Sequence, residues 1–186
     1  MVAQRRADLR VVLADILNRE SRFVWEVGSG HGHFLTAYSK AHPDITCVGV
    51  DITSDRIVRA NRKRERGRLK NLHFVRAEAD DFLAAMPDDA RFTSIFVLFP
   101  DPWPKRRHHK NRVVTPVFLA TVAGKSAKGA GLYFRTDHKP YFDTVFTLID
   151  AHPDWDKSDS AAWPFEEESV FQKRAPRHFS LVAARR

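Results

Sequence analysis

Short apolar runs alternating with helix-patterned stretches predict an α/β fold: a mostly parallel sheet with helices on both faces and an antiparallel C-terminal strand. Three observations carry this. The runs 23–27, 46–51, 72–76, 93–99 and 130–136 are apolar almost throughout, as strands buried on both faces must be. Between them, 32–41, 54–66, 79–85, 116–124 and 139–151 are patterned as helices. After His152 the alternation stops, and the extended segments 168–173 and 178–184 suggest a terminal hairpin on the sheet edge, one member antiparallel. In chain order, residues 4–19 open as a helix with Leu9, Val12, Leu13, Ile16 and Leu17 on one stripe. The five strand–helix pairs follow. The sharpest boundary among them is Thr115-Pro116, an N-cap residue followed by proline at the first helical position.

With 186 residues the chain is long enough for one full core without disulfides or metal. A net charge of +8 and a pI near 9.9 point to a polyanionic partner, nucleic acid first. The single cysteine, Cys47, lies in the apolar run Thr46-Cys47-Val48-Gly49-Val50 and reads as a core residue rather than a nucleophile. No run approaches the ~20 apolar residues of a membrane span, and Met1–Arg6 lacks the apolar stretch of a signal peptide. A soluble cytoplasmic protein is expected, either monomer or homodimer.

The first strand ends in Glu26-Val27-Gly28-Ser29-Gly30-His31-Gly32. Glycines at this turn allow positive φ and close approach of backbone N–H groups to a ligand. The dinucleotide fingerprint is G-x-G-x-x-G. Here the spacing is G-x-G-x-G with a carboxylate two residues earlier, which a pyrophosphate would not tolerate. The pattern suits the amino-acid end of S-adenosylmethionine, with Glu26 near its ammonium, and disfavours a nicotinamide-dependent oxidoreductase. The plainer alternative is a strand-to-helix turn. Asp51 ends the second strand, where such sheets place an acceptor for a ribose diol, or it is a helix-terminal charge. Glu78 follows the third strand, within reach of an exocyclic adenine amine, with Asp80 and Asp81 in the next helix's first turn.

Residues 98–112 (Leu-Phe-Pro-Asp-Pro-Trp-Pro-Lys-Arg-Arg-His-His-Lys-Asn-Arg) are the most informative. Three prolines in five positions restrict the backbone around Asp101 and Trp103. A carboxylate, an indole and five Lys/Arg at a strand's C-terminal end suit a polyanion carrying a planar base. The bland alternative is a solvated basic loop. Methylation of a ring nitrogen with a free lone pair needs no general base, and Asp101 would stabilise the imidazolium that develops. Trp103 either stacks on a base or packs under the loop. Lys105, Arg106, Arg107, Lys110 and Arg112 suit phosphates. His108 and His109 diverge as neighbours and find no third ligand at a metal spacing, so no metal is expected. Asp137, in Arg135-Thr136-Asp137-His138, is either a helix N-cap or a substrate acceptor. A second basic stretch, Arg59 to Lys70, holds seven Lys/Arg and reads either as a solvated helix face or as a border to RNA.

Over nearly its whole length the chain resembles the bacterial tRNA (guanine-N7)-methyltransferases. The resemblance rests on Phe99-Pro100-Asp101-Pro102-Trp103-Pro104-Lys105-Arg106-Arg107-His108-His109-Lys110, on Glu26-Val27-Gly28-Ser29-Gly30 and on Arg135-Thr136-Asp137. It implies a Rossmann-like class I methyltransferase fold and methyl transfer from S-adenosylmethionine to N7 of a guanosine in the tRNA variable loop. It also implies cofactor contacts at Glu26, Gly28, Gly30, Asp51, Glu78 and Asp101, with Asp101 catalytic. Substrate contacts would fall on Lys105 and Asp137, and on Ser169, Val170, Phe171 and Gln172. RNA contacts would fall on Arg107, His108, His109, Lys110, Asn111 and Arg112. Two positions depart from the family pattern. Asp51 stands where Glu is usual, and Ser169-Val170-Phe171-Gln172 replaces Thr-x-Phe-Glu, so that Gln172 lacks a charge. The alternative reading is an RNA-binding module that keeps this fold with little or no turnover.

Overall fold

A computed structural model of the chain describes residues 2–17, 21–158, 161–167 and 177–186. Among the described residues seven strands form one sheet in the order β3-β2-β1-β4-β5-β7-β6. Its parallel part comprises β1 (Arg22–Val27), β2 (Thr46–Asp51), β3 (Leu72–Arg76), β4 (Arg91–Leu98) and β5 (Ser126–Thr136). The helices are α1 (Val2–Ile16), α2 (His33–Ala41), α3 (Ser54–Arg66), α4 (Ala79–Ala85), α5 (Pro116–Gly124) and α6 (Lys139–Asp150). Every interior strand residue from Phe23 to Val27 is buried, because helices cover both faces. On one face Trp25 stacks against Phe82 at 4.9 Å and Phe92 at 5.1 Å, with α1, α4, α5 and α6 closing over them. On the other, α2 and α3 enclose Val24, Phe34, Tyr38, Cys47 and Phe96. Cys47 is thus a core residue whose thiol burial pushes up to about 12, unsuited to nucleophilic work.

The predicted boundaries of α3, α4 and α5 are reproduced, and Thr115 caps α5 by accepting from the Phe118 N–H at 3.1 Å. The opening helix ends at Ile16, and Val12 of its predicted apolar stripe is 45% exposed. Of the expected C-terminal hairpin, the segment 178–184 is found as an antiparallel strand. Strand β7 (Phe179–Arg185) runs antiparallel between β5 and β6, and the edge strand β6 is Trp155–Ser158. The predicted strand 168–173 lies outside the described residues. Trp155 explains where the edge strand sits, since its indole is buried and donates to the Leu119 carbonyl at 3.2 Å. Among the described residues no helix is long and apolar enough to cross a membrane.

Candidate functional site

The C-terminal ends of β1, β2 and β3 build one half of the site. Glu26, at the end of β1, is 4% exposed and accepts from the Leu35 backbone N–H. Burial, assisted by the neighbouring Asp51 charge, pushes its carboxyl up to about 8. Its Oε2 and the Ser29 hydroxyl are buried without a hydrogen-bond partner among the described residues. Leaving a buried acceptor unpaired costs about 1–3 kcal/mol, which a ligand donor would recover. Backbone room lies beside these atoms. Gly28 and Gly30 sit at φ 72° and 54°, with no heavy atom within 4 Å of an added Cβ. At Gly32, φ 70°, a Cβ would instead lie 2.5 Å from the Phe74 ring, so packing demands glycine there. An unpaired buried carboxylate oxygen next to open, glycine-lined backbone fits the ammonium end of S-adenosylmethionine.

Asp51 is 4% exposed and bridges two elements. It accepts from Gly30 N at 3.0 Å and from Thr53 N at 2.8 Å, with Arg56 at 3.5 Å. It thus braces the glycine loop and anchors the start of α3, as its helix-terminal reading expected. Glu78 precedes α4 with its side chain 64% exposed, 4.0 Å from Arg5. Asp81, by contrast, is buried and held by Arg6 at 2.7 Å and Arg5 at 3.2 Å, tying α1 to α4. Between them opens a cavity of about 370 Å³ lined by Ile52, Ala77 and Glu78 on the sheet side and Arg5, Asp8 and Val12 on α1. Ile52, 64% exposed, presents an apolar face there that a purine ring can cover. The part played by α1 was not legible in the sequence.

The fourth strand runs into the proline loop. Phe99 and Trp103 sit at φ 48° and 43°, left-handed conformations that bulky residues adopt only under constraint. They bracket Asp101, which is exposed. Trp103 is half-buried and meets the His108 ring edge-on at 5.8 Å, at the entrance to the 3-10 turn Arg106–Asn111. Lys105, Arg106, Arg107, Lys110 and Asn111 are exposed, while His108 and His109 are half-buried. No cluster of three or more His, Cys, Asp or Glu arranged to hold a metal occurs among the described residues.

Arg112 does not share its neighbours' environment. It is 6% exposed, and its guanidinium donates to the Pro102 carbonyl at 2.9 Å and to Thr144 at 3.4 Å, with His109 at 3.2 Å. It also lies 4.5 Å from the Tyr141 ring centre, and the Tyr141 hydroxyl accepts from Val114 N. Arg112 thus pins the loop carrying Asp101 to α6, a buried position unlike that of the exposed cations expected to meet RNA beside it. Arg112→Met should therefore lower kcat about tenfold through misplacement of Asp101. The dependence of RNA affinity on salt should keep its wild-type slope. A slope reduced by one phosphate in filter binding would return Arg112 to the RNA surface.

At the end of β5, Arg135 is buried, donates a bidentate pair to the Glu166 carboxylate at 2.9 Å from each nitrogen, and lies 3.9 Å from the Trp163 ring centre. Residues 161–167 thereby form a strap across the ends of β4 and β5, with Phe165 wedged among Phe34, Tyr38 and His42. Only about 10 Å³ remains between the strap, Leu98 and Phe99. Asp137, two residues after Arg135, is exposed. His138, not Asp137, caps α6 by accepting from Tyr141 N at 3.2 Å, which removes the N-cap alternative for Asp137. Ser169, Val170, Phe171 and Gln172 lie outside the described residues. The strap escaped sequence reading, since Ala161-Ala162-Trp163-Pro164-Phe165-Glu166-Glu167 has neither a helical nor a strand period.

Comparison with known proteins agrees with this geometry. Residues 20–176 match a family model described as "Putative methyltransferase". The chain is 33% identical over 150 residues to a tRNA (guanine-N(7)-)-methyltransferase of Streptomyces coelicolor, covering 80% of this chain and 55% of that one. It is 34% identical over 144 residues to one of Caulobacter sp. strain K31, covering 77% and 63%. The chain thus spans little more than half the length of the curated relatives it matches. Among solved structures, an O-methyltransferase of Bacillus cereus in complex with SAH superposes with a TM-score of 0.63 at 13% identity, covering 98% of this chain and 80% of that one. The aminoglycoside resistance methyltransferase NpmB1 gives 0.59 at 18% identity, covering 97% and 93%. A Rossmann-like methyltransferase sheet, a glycine loop beside an unpaired buried carboxylate and a match across most of the sequence agree, and the chain belongs to this methyltransferase family.

Proposed function

We propose that residues 1–186 form one S-adenosylmethionine-dependent domain that methylates N7 of a guanosine in the variable loop of tRNA. The observation carrying this reading is Asp101, held between two left-handed residues and two prolines and followed by a run of exposed cations. The names of the curated relatives support it, and a bacterial enzyme acting on tRNA would work in the cytoplasm. S-adenosylmethionine would supply a methyl group activated on a sulfonium. Glu26, Gly28, Gly30, Asp51, Glu78 and Asp101 would hold it, Glu26 at the ammonium and Asp51 at the ribose. Guanine N7 presents a free lone pair, so no side chain has to remove a proton first. Asp101 would instead orient the purine and stabilise the positive charge that spreads over its imidazole ring. Lys105 and Asp137 would contact the nucleoside, and Arg107, His108, His109, Lys110 and Asn111 the flanking RNA.

Incubation with labelled S-adenosylmethionine and unmodified tRNA, followed by nucleoside analysis, tests the reading. 7-Methylguanosine is the expected product. Tight tRNA binding without any methylated nucleoside would favour a binding module instead. The basic loop has its own expected result. Lys105→Ala, Arg107→Ala and Lys110→Ala should each reduce the slope of log K against log[salt] for tRNA by about 0.7–0.9, similarly for tRNAs of different sequence. Three unchanged slopes in filter binding would show a merely solvated loop.

A further inference from the structure

We infer that the exposed face of α3 is a second RNA-backbone surface, gripping the flank of the same tRNA whose guanosine reaches Asp101. This rests on the proposed tRNA substrate and adds a contact surface to it. Helix α3 carries six Lys/Arg against Asp55 and Glu65 in thirteen residues. A helix face that is merely solvated usually alternates its charges into i, i+4 pairs. Here the only ion pairs made by α3 among the described residues are Arg64 with Glu65 at 3.7 Å and Arg56 with Asp51. Arg59, Arg62 and Arg66 are exposed and have no acidic partner among the described residues. Their i, i+3, i+7 spacing aligns them on one stripe about 10 Å long at 1.5 Å per residue.

Position gives the stripe its partner. Helix α3 starts three residues after Asp51, at the sheet edge that also carries Asp101. Strands β2 and β4 flank β1, so their ends lie roughly 10 Å apart at about 4.8 Å per strand. The cofactor loop fills the space between, and α3 is fastened to it. Lys63 Nζ donates to the His31 carbonyl at 2.7 Å and meets His33 Nε2 at 2.9 Å. Partial desolvation and the combined charge of Arg59, Lys63 and Arg56 hold the His31 imidazole below its ordinary pKa. Cations thus border the glycine loop from α3 on one side and from Lys105–Lys110 on the other. A nucleotide strand delivering one base between them would lay its neighbouring phosphates on both. A small anionic cofactor would need one of these borders, not a stripe running down the flank of the molecule.

The test uses the full chain with unmodified tRNA in filter binding across a salt series, on Arg59→Ala, Arg62→Ala, Arg66→Ala and the triple variant. Alanine keeps the helix, and an unchanged affinity for S-adenosylhomocysteine by calorimetry confirms that the fold and cofactor loop are intact. Each single variant should reduce the slope of log K against log[salt] by about 0.7–0.9, and the triple by about 2 or more. The triple should raise KM for tRNA while kcat holds, because no residue on the stripe touches the reacting atoms. Slopes equal to wild type in the triple, with reduced slopes in the Lys105, Arg107 and Lys110 variants, would overturn this inference and leave the proposed substrate standing. A wild-type protein with no salt-dependent affinity for tRNA would instead remove the substrate reading itself.

Discussion

Asp101→Asn is expected to lower methyl transfer on the order of 10²-fold or more while leaving tRNA affinity and its salt dependence unchanged. The magnitude is that of losing one preorganised electrostatic group from a transition state. Asparagine keeps the shape and one acceptor but removes the charge. The loss should fall on kcat because positive charge on the purine grows only as the new carbon–nitrogen bond forms. The backbone has few ways to compensate. Pro100 and Pro102 flank the residue, Phe99 and Trp103 are held at positive φ, and the Pro102 carbonyl is anchored by Arg112. The constraint at Phe99 and Trp103, about 1–3 kcal/mol each for left-handed non-glycine residues, places Asp101 with little entropy left to lose. Turnover within about threefold of wild type, about 0.65 kcal/mol by the rate relation, would remove Asp101 from the catalytic role. Single-turnover kinetics at saturating tRNA separates this from an effect on binding.

The parallel half of the fold was legible because its strands are buried on both faces and so read as unbroken apolar runs. Proline and the Thr115 hydroxyl marked α5 to the residue. At the antiparallel end only β7 was legible, read at 178–184 and found at Phe179–Arg185. Strand β6 is four residues, Trp-Asp-Lys-Ser, of which only Trp155 is buried, so no alternation announces it. The candidate site divides the same way. Glu26, Asp51 and Asp101 were singled out because strand ends in such sheets point ligand-binding residues at one edge. Arg112 was grouped with the exposed cations because a sequence shows charge but not burial. The one available signal was its position at the end of the basic run, directly before Val113-Val114. Arg135, Trp163 and Glu166 come together only through long-range folding, from β5 and an aperiodic strap 28 or more residues downstream.

Glu26→Gln is expected to stabilise the ligand-free protein by a few kcal/mol at pH 8 and to abolish a pH dependence that the wild type shows. The sign follows from where the proton sits. The unfolded carboxyl titrates near 4.5, whereas burial raises the folded one to about 8. Between these values the unfolded chain has lost a proton that the folded chain still holds. Stability therefore falls as pH rises through this window, by up to about 1.4 kcal/mol per unit, and levels off above pH 8. The contribution is fully present below pH 4.5. Glutamine cannot titrate, so the difference between wild type and variant, measured by chemical denaturation from pH 5 to 8, isolates Glu26 from the histidines. Cofactor binding should run the opposite way. A cationic ammonium placed at Oε2 favours the ionised carboxylate, so binding expels the proton. Affinity for S-adenosylhomocysteine should rise with pH toward 8, at most tenfold per unit. Calorimetry in buffers of different ionisation enthalpy should register proton release in the wild type and none in Glu26→Gln, whose affinity should be weaker and flat with pH. Equal, pH-independent affinities in the two proteins would place the ammonium elsewhere and leave the unpaired Oε2 without a ligand.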